Sequence, residues 1–169
     1  HKAIRRQRQM CIRDRFKILM DCKAGRASKA LETLKKIMPD SEKNPSARSG
    51  AEPYVFTNCY STHPGYYGKS YQSWTTGTSV WCMMGVYEGI MGVKRDYEGL
   101  MVDPCFPAEW EEAEVTRHFR GADYHIVVHN PGHLENGRGT VRVDGKICPD
   151  SVLPDFRDGK RHEVEVLLG

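Results

Sequence analysis

The apolar residues of this chain change period once, near Arg95, and that change limits the folds open to it. Before it, Ala27, Ala30, Leu31, Leu34, Ile37 and Met38 recur at helical spacing over 26–38, with Pro39 closing the run. Residues 16–22 read as the end of an earlier helix. Val80, Trp81, Met83, Met84, Tyr87, Ile90 and Met91 define a further one, with an apolar stripe wide enough for deep burial. After Arg95 the pairs Leu100/Val102, Val115/Arg117/Phe119, Tyr124/Ile126/Val128, Val141/Val143 and Val164/Val166 alternate as half-buried strands do. Asn130-Pro131-Gly132, Glu135-Asn136-Gly137, Asp144-Gly145 and Asp158-Gly159 supply the turns between them. Helices first and strands second predict an α+β chain, with a short antiparallel β domain, a sandwich, packed beside the helices.

Between the helical runs lies a long loop, 39–72, rich in Ser, Asn, Gly, Pro and Tyr and interrupted by the extended piece Tyr54-Val55-Phe56. A loop of that length in a compact protein is usually functional or disordered. It leads into Thr75-Thr76-Gly77-Thr78-Ser79, a hydroxyl-rich turn that opens directly onto the Val80 run. The free N–H groups and dipole of a helix start attract anions, and Thr76, Thr78 and Ser79 add neutral donors, while Gly77 would let the backbone come close to a phosphate. The alternative is that Thr75 or Thr76 only caps the helix and the glycine only relieves a tight turn.

At 169 residues the chain has room for one ordinary domain or two small ones. Its 39% apolar and 28% charged content is that of a globular protein, and no apolar run approaches the roughly 20 residues that span a bilayer. Together with the lack of an apolar signal core, this gives the expectation of a cytoplasmic protein. The net charge of +3 is misleading as a hint of nucleic-acid binding, because Lys2, Arg5, Arg6, Arg8, Arg13 and Arg15 against Asp14 more than account for it. Residues 1–15 are expected to be a non-native or disordered leader from a chimeric, truncated reading frame, since Gln9-Met10-Cys11-Ile12-Arg13-Asp14-Arg15 looks like translated sequencing adapter. A basic arm for RNA or acidic lipid is the alternative, but no aromatic residue is interleaved for base stacking.

Cys11, Cys22, Cys59, Cys82, Cys105 and Cys148 are widely scattered with no C-x-x-C pair, which favours reduced, mostly buried thiols over a disulfide framework or a zinc site. His63, His118, His125, His129, His133 and His162 form no H-E-x-x-H motif, and the expected metal content is none.

Glu52-Pro53-Tyr54-Val55, the Thr76-Gly77 turn, residues 92–110 (GVKRDYEGLMVDPCFPAEW) and residues 115–126 (VTRHFRGADYHI) stand in an order and at distances that resemble the C-terminal part of the cellobiose phosphorylase family. These are inverting glycoside phosphorylases of glycoside hydrolase family 94. The likeness runs from about Phe16 to the last residue and rests on four separated segments. It implies the closing helices of an (α/α)6 catalytic barrel over 16–96 and a jelly-roll-like β domain over 97–169. The activity it implies is cleavage of a β-glucoside by inorganic phosphate, a co-substrate, to give an α-sugar 1-phosphate, with no cofactor. Thr76 and Gly77 match the family's Thr-Gly phosphate contact. His63, Tyr66 and Tyr67 are candidates for lining the sugar cleft, the alternative being that they pack the loop onto the barrel rim. Glu52 is expected to fix the chain entry by hydrogen bonding rather than touch sugar, and Arg117, Arg120, Glu98 and Asp103 to serve surfaces, turns and interfaces.

No residue here matches the family's general acid, so the expected catalytic set within these residues is none and the isolated chain is expected to be inactive. The resemblance leaves open which β-linked disaccharide or oligosaccharide is cleaved, and a homodimeric parent is one of the assemblies it allows. Two other readings stand beside it: a hydrolase of the same architecture, with water in place of phosphate, and a carbohydrate-binding β module. Against the module, Trp74, Trp81 and Trp110 form no strand-borne platform.

Overall fold

The computed structural model describes residues 8–71, 73–137 and 139–169, the first eight as backbone only. The leader expected over 1–15 lies outside these residues as far as residue 7. Beyond it, β1 (Arg8–Met10) already pairs with a later strand, and α1 (Cys11–Lys23) begins before the helix expected from residue 16. α2 (Ala27–Ile37) follows, burying Ala27, Ala30, Leu31, Leu34 and Ile37 on the stripe that their spacing forecast. Met38 leaves the helix in extended conformation, because Pro39 disfavours helical backbone before it.

The α1–α2 turn is tied by a buried carboxylate. Asp21 accepts from the Lys17 ammonium, pairs with Arg26 at 2.8 Å, and lends its carbonyl to the Arg26 N–H at 2.8 Å. Lys17 also donates to Thr33 Oγ1 on α2 at 3.0 Å, so one network spans both helices.

The 39–72 segment departs from a plain loop. It contains the single turn α3 (Ser46–Ser49) and two short strands, β2 (Cys59–Ser61) and β3 (Ser70–Tyr71), which with β1 make a sheet of order β1-β2-β3. The extended piece expected at Tyr54-Val55-Phe56 is not a strand. Pro53 and Tyr54 instead form a turn closed by the Val55 N–H on the Glu52 carbonyl at 3.2 Å, as Pro's fixed φ favours.

α4 (Thr78–Met84) runs without a break into a π-helical stretch, Gly85–Ile90. Deep burial of its whole stripe does not occur: Val80 is 59% and Met83 57% exposed. The helix instead meets α1 through its glycines, with a Cβ at Gly85 reaching within 2.9 Å of Ile18 Cγ2 and one at Gly89 within 3.1 Å of Cys22 Sγ. Close approach on the glycine face leaves Val80 and Met83, on the other side, exposed among the described residues.

From Val93 onward the chain is β structure. β4 (Val93–Arg95), β5 (Leu100–Val102) and β10 (Val152–Leu153) form one antiparallel sheet. β6 (Glu112–Phe119), β7 (Ala122–His129), β8 (Thr140–Val143), β9 (Lys146–Cys148) and β11 (Arg161–Leu167) form the other, in the order β6-β7-β11-β8-β9. The expected all-antiparallel pairing has one exception, because β11 enters the middle of the sheet and runs parallel to β7, from Arg161 beside Asp123 to Leu167 beside His129. Both sheets share one core: Leu100, Val102 and Leu153 from the small sheet meet Tyr124, Ile126, Val128, Val164 and Val166 from the large one. Val86 and Trp110 touch both this core and the helical one around Ile18, Leu31 and Ile90, so the two halves are packed against each other.

Candidate functional site

The hydroxyl-rich turn is held from the loop side. Buried Thr57 donates its hydroxyl to the Tyr71 carbonyl at 2.9 Å, which fixes the end of β3, and its own carbonyl accepts the Thr78 hydroxyl at 3.4 Å. The Thr76 and Thr78 hydroxyls lie 2.6 Å apart, and either can be the donor. Thr76 Oγ1 meanwhile accepts the Thr78 N–H at 3.1 Å. Thr76 thus performs part of a cap's work, as expected of a Ser/Thr turn before a helix.

The first bond of the helical ladder runs from the Trp81 N–H to the Gly77 carbonyl at 3.2 Å, so the Ser79 and Val80 N–H groups stand upstream of it. Gly77 has φ −80° and ψ 8°, values open to any residue, so the conformation of this turn does not itself require glycine. Thr78 is buried, Thr76 half-buried and Gly77 exposed, which leaves the Thr76 hydroxyl free to turn from Thr78 toward solvent. The arrangement offers neutral hydroxyl and amide donors at a helix start, a chemistry that suits an oxyanion without neutralising it.

The three sugar-cleft candidates sit at the tip of the β2–β3 hairpin and are exposed. The His63 and Tyr66 rings lie 6.2 Å apart, and His63 Nδ1 is 2.5 Å from the Pro64 carbonyl, so it donates there. Tyr67 stands apart from that pair, beneath the Arg48 guanidinium at 5.5 Å. The hairpin tip is anchored by Asn44, which donates to the Gly68 carbonyl at 3.0 Å, and by the Gly68 N–H on the Ser61 carbonyl at 2.8 Å.

Glu52 accepts from Trp74 Nε1 at 2.9 Å, and that hydrogen bond holds its carboxyl below the usual carboxylate range. Tyr54 meets the edge of Trp74 at 6.5 Å, so Glu52, Tyr54 and Trp74 form one unit on the surface beside the turn. Arg120 is engaged away from the turn, donating to Asp155 at 2.9 Å and to the Tyr97 carbonyl at 3.0 Å, and Asp103 lies 3.9 Å from Lys94. Among the described residues no group of three or more His, Cys, Asp or Glu could hold a metal ion, and no helix is long and apolar enough to cross a membrane.

Thr57 was not visible as a site residue, because its contact with Thr78 spans 21 positions and a lone Thr before a short strand carries no pattern.

The family description "Glycosyl hydrolase 94 superfamily, catalytic domain" matches residues 7–92, ending just past the last helical turn. The chain is 40% identical over 153 residues to a solabiose phosphorylase of Paenibacillus borealis, covering 89% of this chain and 20% of that protein. It is 35% identical over 161 residues to a 3-O-beta-D-glucopyranosyl-beta-D-glucuronide phosphorylase of the same organism, covering 94% of this chain and 21% of the relative. With an N,N'-diacetylchitobiose phosphorylase of Vibrio proteolyticus the identity is 33% over 150 residues, covering 88% and 19%. The chain spans about a fifth of the length of these curated relatives.

Proposed function

The chain belongs to the glycosyl hydrolase 94 superfamily, and from that premise we propose that it is the C-terminal part of a glycoside phosphorylase. The parent protein cleaves a β-linked gluco-disaccharide or oligosaccharide with inorganic phosphate and releases an α-sugar 1-phosphate with inversion. The observation that carries this reading is agreement with phosphorylases of several different disaccharides across nearly the whole chain. On the same reading, α1, α2 and the Thr78–Ile90 helix are closing helices of an (α/α)6 barrel, and the two sheets are a jelly-roll-like domain.

The chemistry divides as follows. A phosphate oxygen attacks the anomeric carbon from the face opposite the leaving sugar, while a carboxylic acid protonates the departing glycosidic oxygen. Phosphate is already an anionic nucleophile, so no carboxylate base is needed. Thr76 turns its hydroxyl from Thr78 onto a phosphate oxygen, and the exposed Gly77 backbone lets the anion approach the N–H groups at the start of α4. His63, Tyr66 and Tyr67 offer ring faces and polar edges to the sugar. The general acid comes from a segment other than these residues, so the 169-residue chain alone does not turn over. The parent acts in the cytoplasm, without a cofactor, as a monomer or homodimer.

The test is an assay of the full-length protein on a panel of β-linked disaccharides, with and without phosphate. Phosphate-dependent α-sugar 1-phosphate supports the proposal. Release of free sugar at the same rate without phosphate would make the parent a hydrolase.

A further inference from the structure

Asn136, in the connection between β7 and β8, reaches 111 positions back to the helical half, where its Nδ2 donates to the Gly25 carbonyl at 3.2 Å. The amide lies directly on the Gly25 backbone, since a Cβ at Gly25 would stand 2.2 Å from Asn136 Nδ2. Gly25 has φ +68° just past the end of α1, so glycine there meets two demands, the left-handed backbone and room for the amide. Asn136 is itself exposed, and with Gly25 and Gly137 it lines a cavity of about 920 Å³ at the junction of the helical and β halves. Water therefore reaches the amide.

Asparagine amides are thermolabile, and the residue after Asn136 is the one best suited to attack it. Gly137 has no side chain to shield its nitrogen, and among the described residues its N–H makes no hydrogen bond. The other three asparagines differ at this point. Asn44 and Asn130 precede Pro45 and Pro131, which have no N–H to give up. Asn58 precedes Cys59, which is buried and paired with Met10 of β1 and Tyr71 of β3, so the backbone there is fixed in a sheet.

We propose that Asn136 is a deamidation site, closing with the Gly137 nitrogen to a succinimide, and that the carboxylate product releases the β half from the α1–α2 turn. The Gly137 nitrogen bonds to the side-chain carbonyl carbon of Asn136, the Cγ–Nδ2 bond breaks, and Nδ2 leaves as ammonia with the proton that Gly137 gives up. One water then adds across the imide. Opening at Cγ gives aspartate, and opening at the main-chain carbonyl gives isoaspartate, in which the chain runs through Cβ and Cγ. An ionised carboxylate accepts hydrogen bonds and donates none. In the aspartate form the Gly25 carbonyl thus loses its donor and meets a negative oxygen in its place.

The experiment holds the 169-residue chain in mildly alkaline buffer beside a synthetic peptide of residues 130–139, and follows both by mass spectrometry and isoaspartyl methyltransferase labelling. By the time the peptide is largely converted, the chain should carry aspartate and isoaspartate at residue 136, with Asn44, Asn58 and Asn130 intact. Asn136→Gln, whose longer side chain cannot close the five-membered ring, should lose the labelled product. Fresh Asn136→Asp carries the product's carboxylate from the start, and at neutral pH it should unfold at a lower urea concentration than the unaltered chain. An intact Asn136 when the peptide has fully converted, or earlier conversion of any of the other three asparagines, would overturn the site. An Asn136→Asp midpoint equal to that of the unaltered chain would overturn the release.

Discussion

Phe156 and His162 stack face to face, with ring centroids 3.6 Å apart and planes within 8° of parallel. The stack leaves both imidazole nitrogens on its edge, where Nδ1 meets Asp144 at 2.8 Å and Nε2 meets Asp158 at 3.1 Å. Asp144 opens the turn between β8 and β9, Asp158 the turn before β11, so one ring staples two turns to the strand that carries it.

This staple makes the stability of the β half depend on pH. Burial pushes the His162 pKa down, but the bonds to Asp144 and Asp158 outweigh it and raise the value above the ordinary 6.5. A raised folded-state pKa contributes stability that is fully present below about 6.5 and is lost as pH rises through the folded value. On the acid side, His162 holds the Asp144 carboxyl below its ordinary 3.8, and the Lys160 N–H together with His162 does the same for Asp158. Their contribution is present above 3.8 and is lost as pH falls through their folded values. Urea midpoints of the chain should therefore be highest between about pH 4 and 6.5 and decline toward pH 8. His162→Gln should lower the plateau and flatten the alkaline decline; an unchanged decline in that variant would assign it to another group.

A second prediction concerns the junction of the two halves. Gly92 has φ +68°, and a Cβ there would collide with the Asp103 carbonyl, whose own N–H is bonded to the Gly92 carbonyl at 3.0 Å. Gly145 has a similar φ of +76° but open space around it. Gly145→Ala should cost only the left-handed strain, about 1–2 kcal/mol. Gly92→Ala adds a backbone clash and should cost more than about 3 kcal/mol or prevent folding. Comparable denaturation midpoints for the two variants would refute the close approach at Gly92.

These relationships mark where the sequence stops being informative. Tyr124, Ile126 and Val128, or Val164 and Val166, alternate visibly because each strand must present one face to a core, and every one of them is buried. Whether β11 runs parallel or antiparallel to β7 is not encoded in that alternation, since both pairings bury the same side chains. The π-helical stretch was equally hidden, because Gly85 and Gly89 are punctuation in the sequence and become contacts only once α1 lies across them. At the candidate site, Thr76-Gly77-Thr78 was legible because a turn before a helix is local. Thr57, the hinge of its hydrogen bonds, depends on long-range closure.

The hairpin tip gives a test of the sugar-binding reading. Tyr66 and Tyr67 are 61% and 63% exposed, so their removal should disturb packing little. In the full-length protein, Tyr66→Ala and Tyr67→Ala should each raise the KM for the sugar substrate by roughly five- to 150-fold, the range of about 1–3 kcal/mol expected for a lost ring–ligand contact. The KM for phosphate should stay unchanged. Sugar KM values equal to those of the unaltered protein would return these residues to the rim of the fold.

The Thr76 hydroxyl has two competing assignments, and one substitution separates them. Thr76→Val keeps the shape but removes both the acceptor for the Thr78 N–H and the hydroxyl partner of Thr78 Oγ1. If the hydroxyl only caps α4, the loss appears as a lower unfolding midpoint, about 1 kcal/mol, with kinetics intact. If it holds phosphate, a hydrogen bond to a charged group worth about 1.5–3 kcal/mol is lost, and the KM for phosphate in the full-length protein rises roughly 10- to 150-fold while the sugar KM stays put. Thr76→Ser supplies the control, since its hydroxyl can make the same bonds and should restore most of the phosphate affinity. A valine variant that is less stable yet saturates at the original phosphate concentration would leave Thr76 as a helix cap and nothing more.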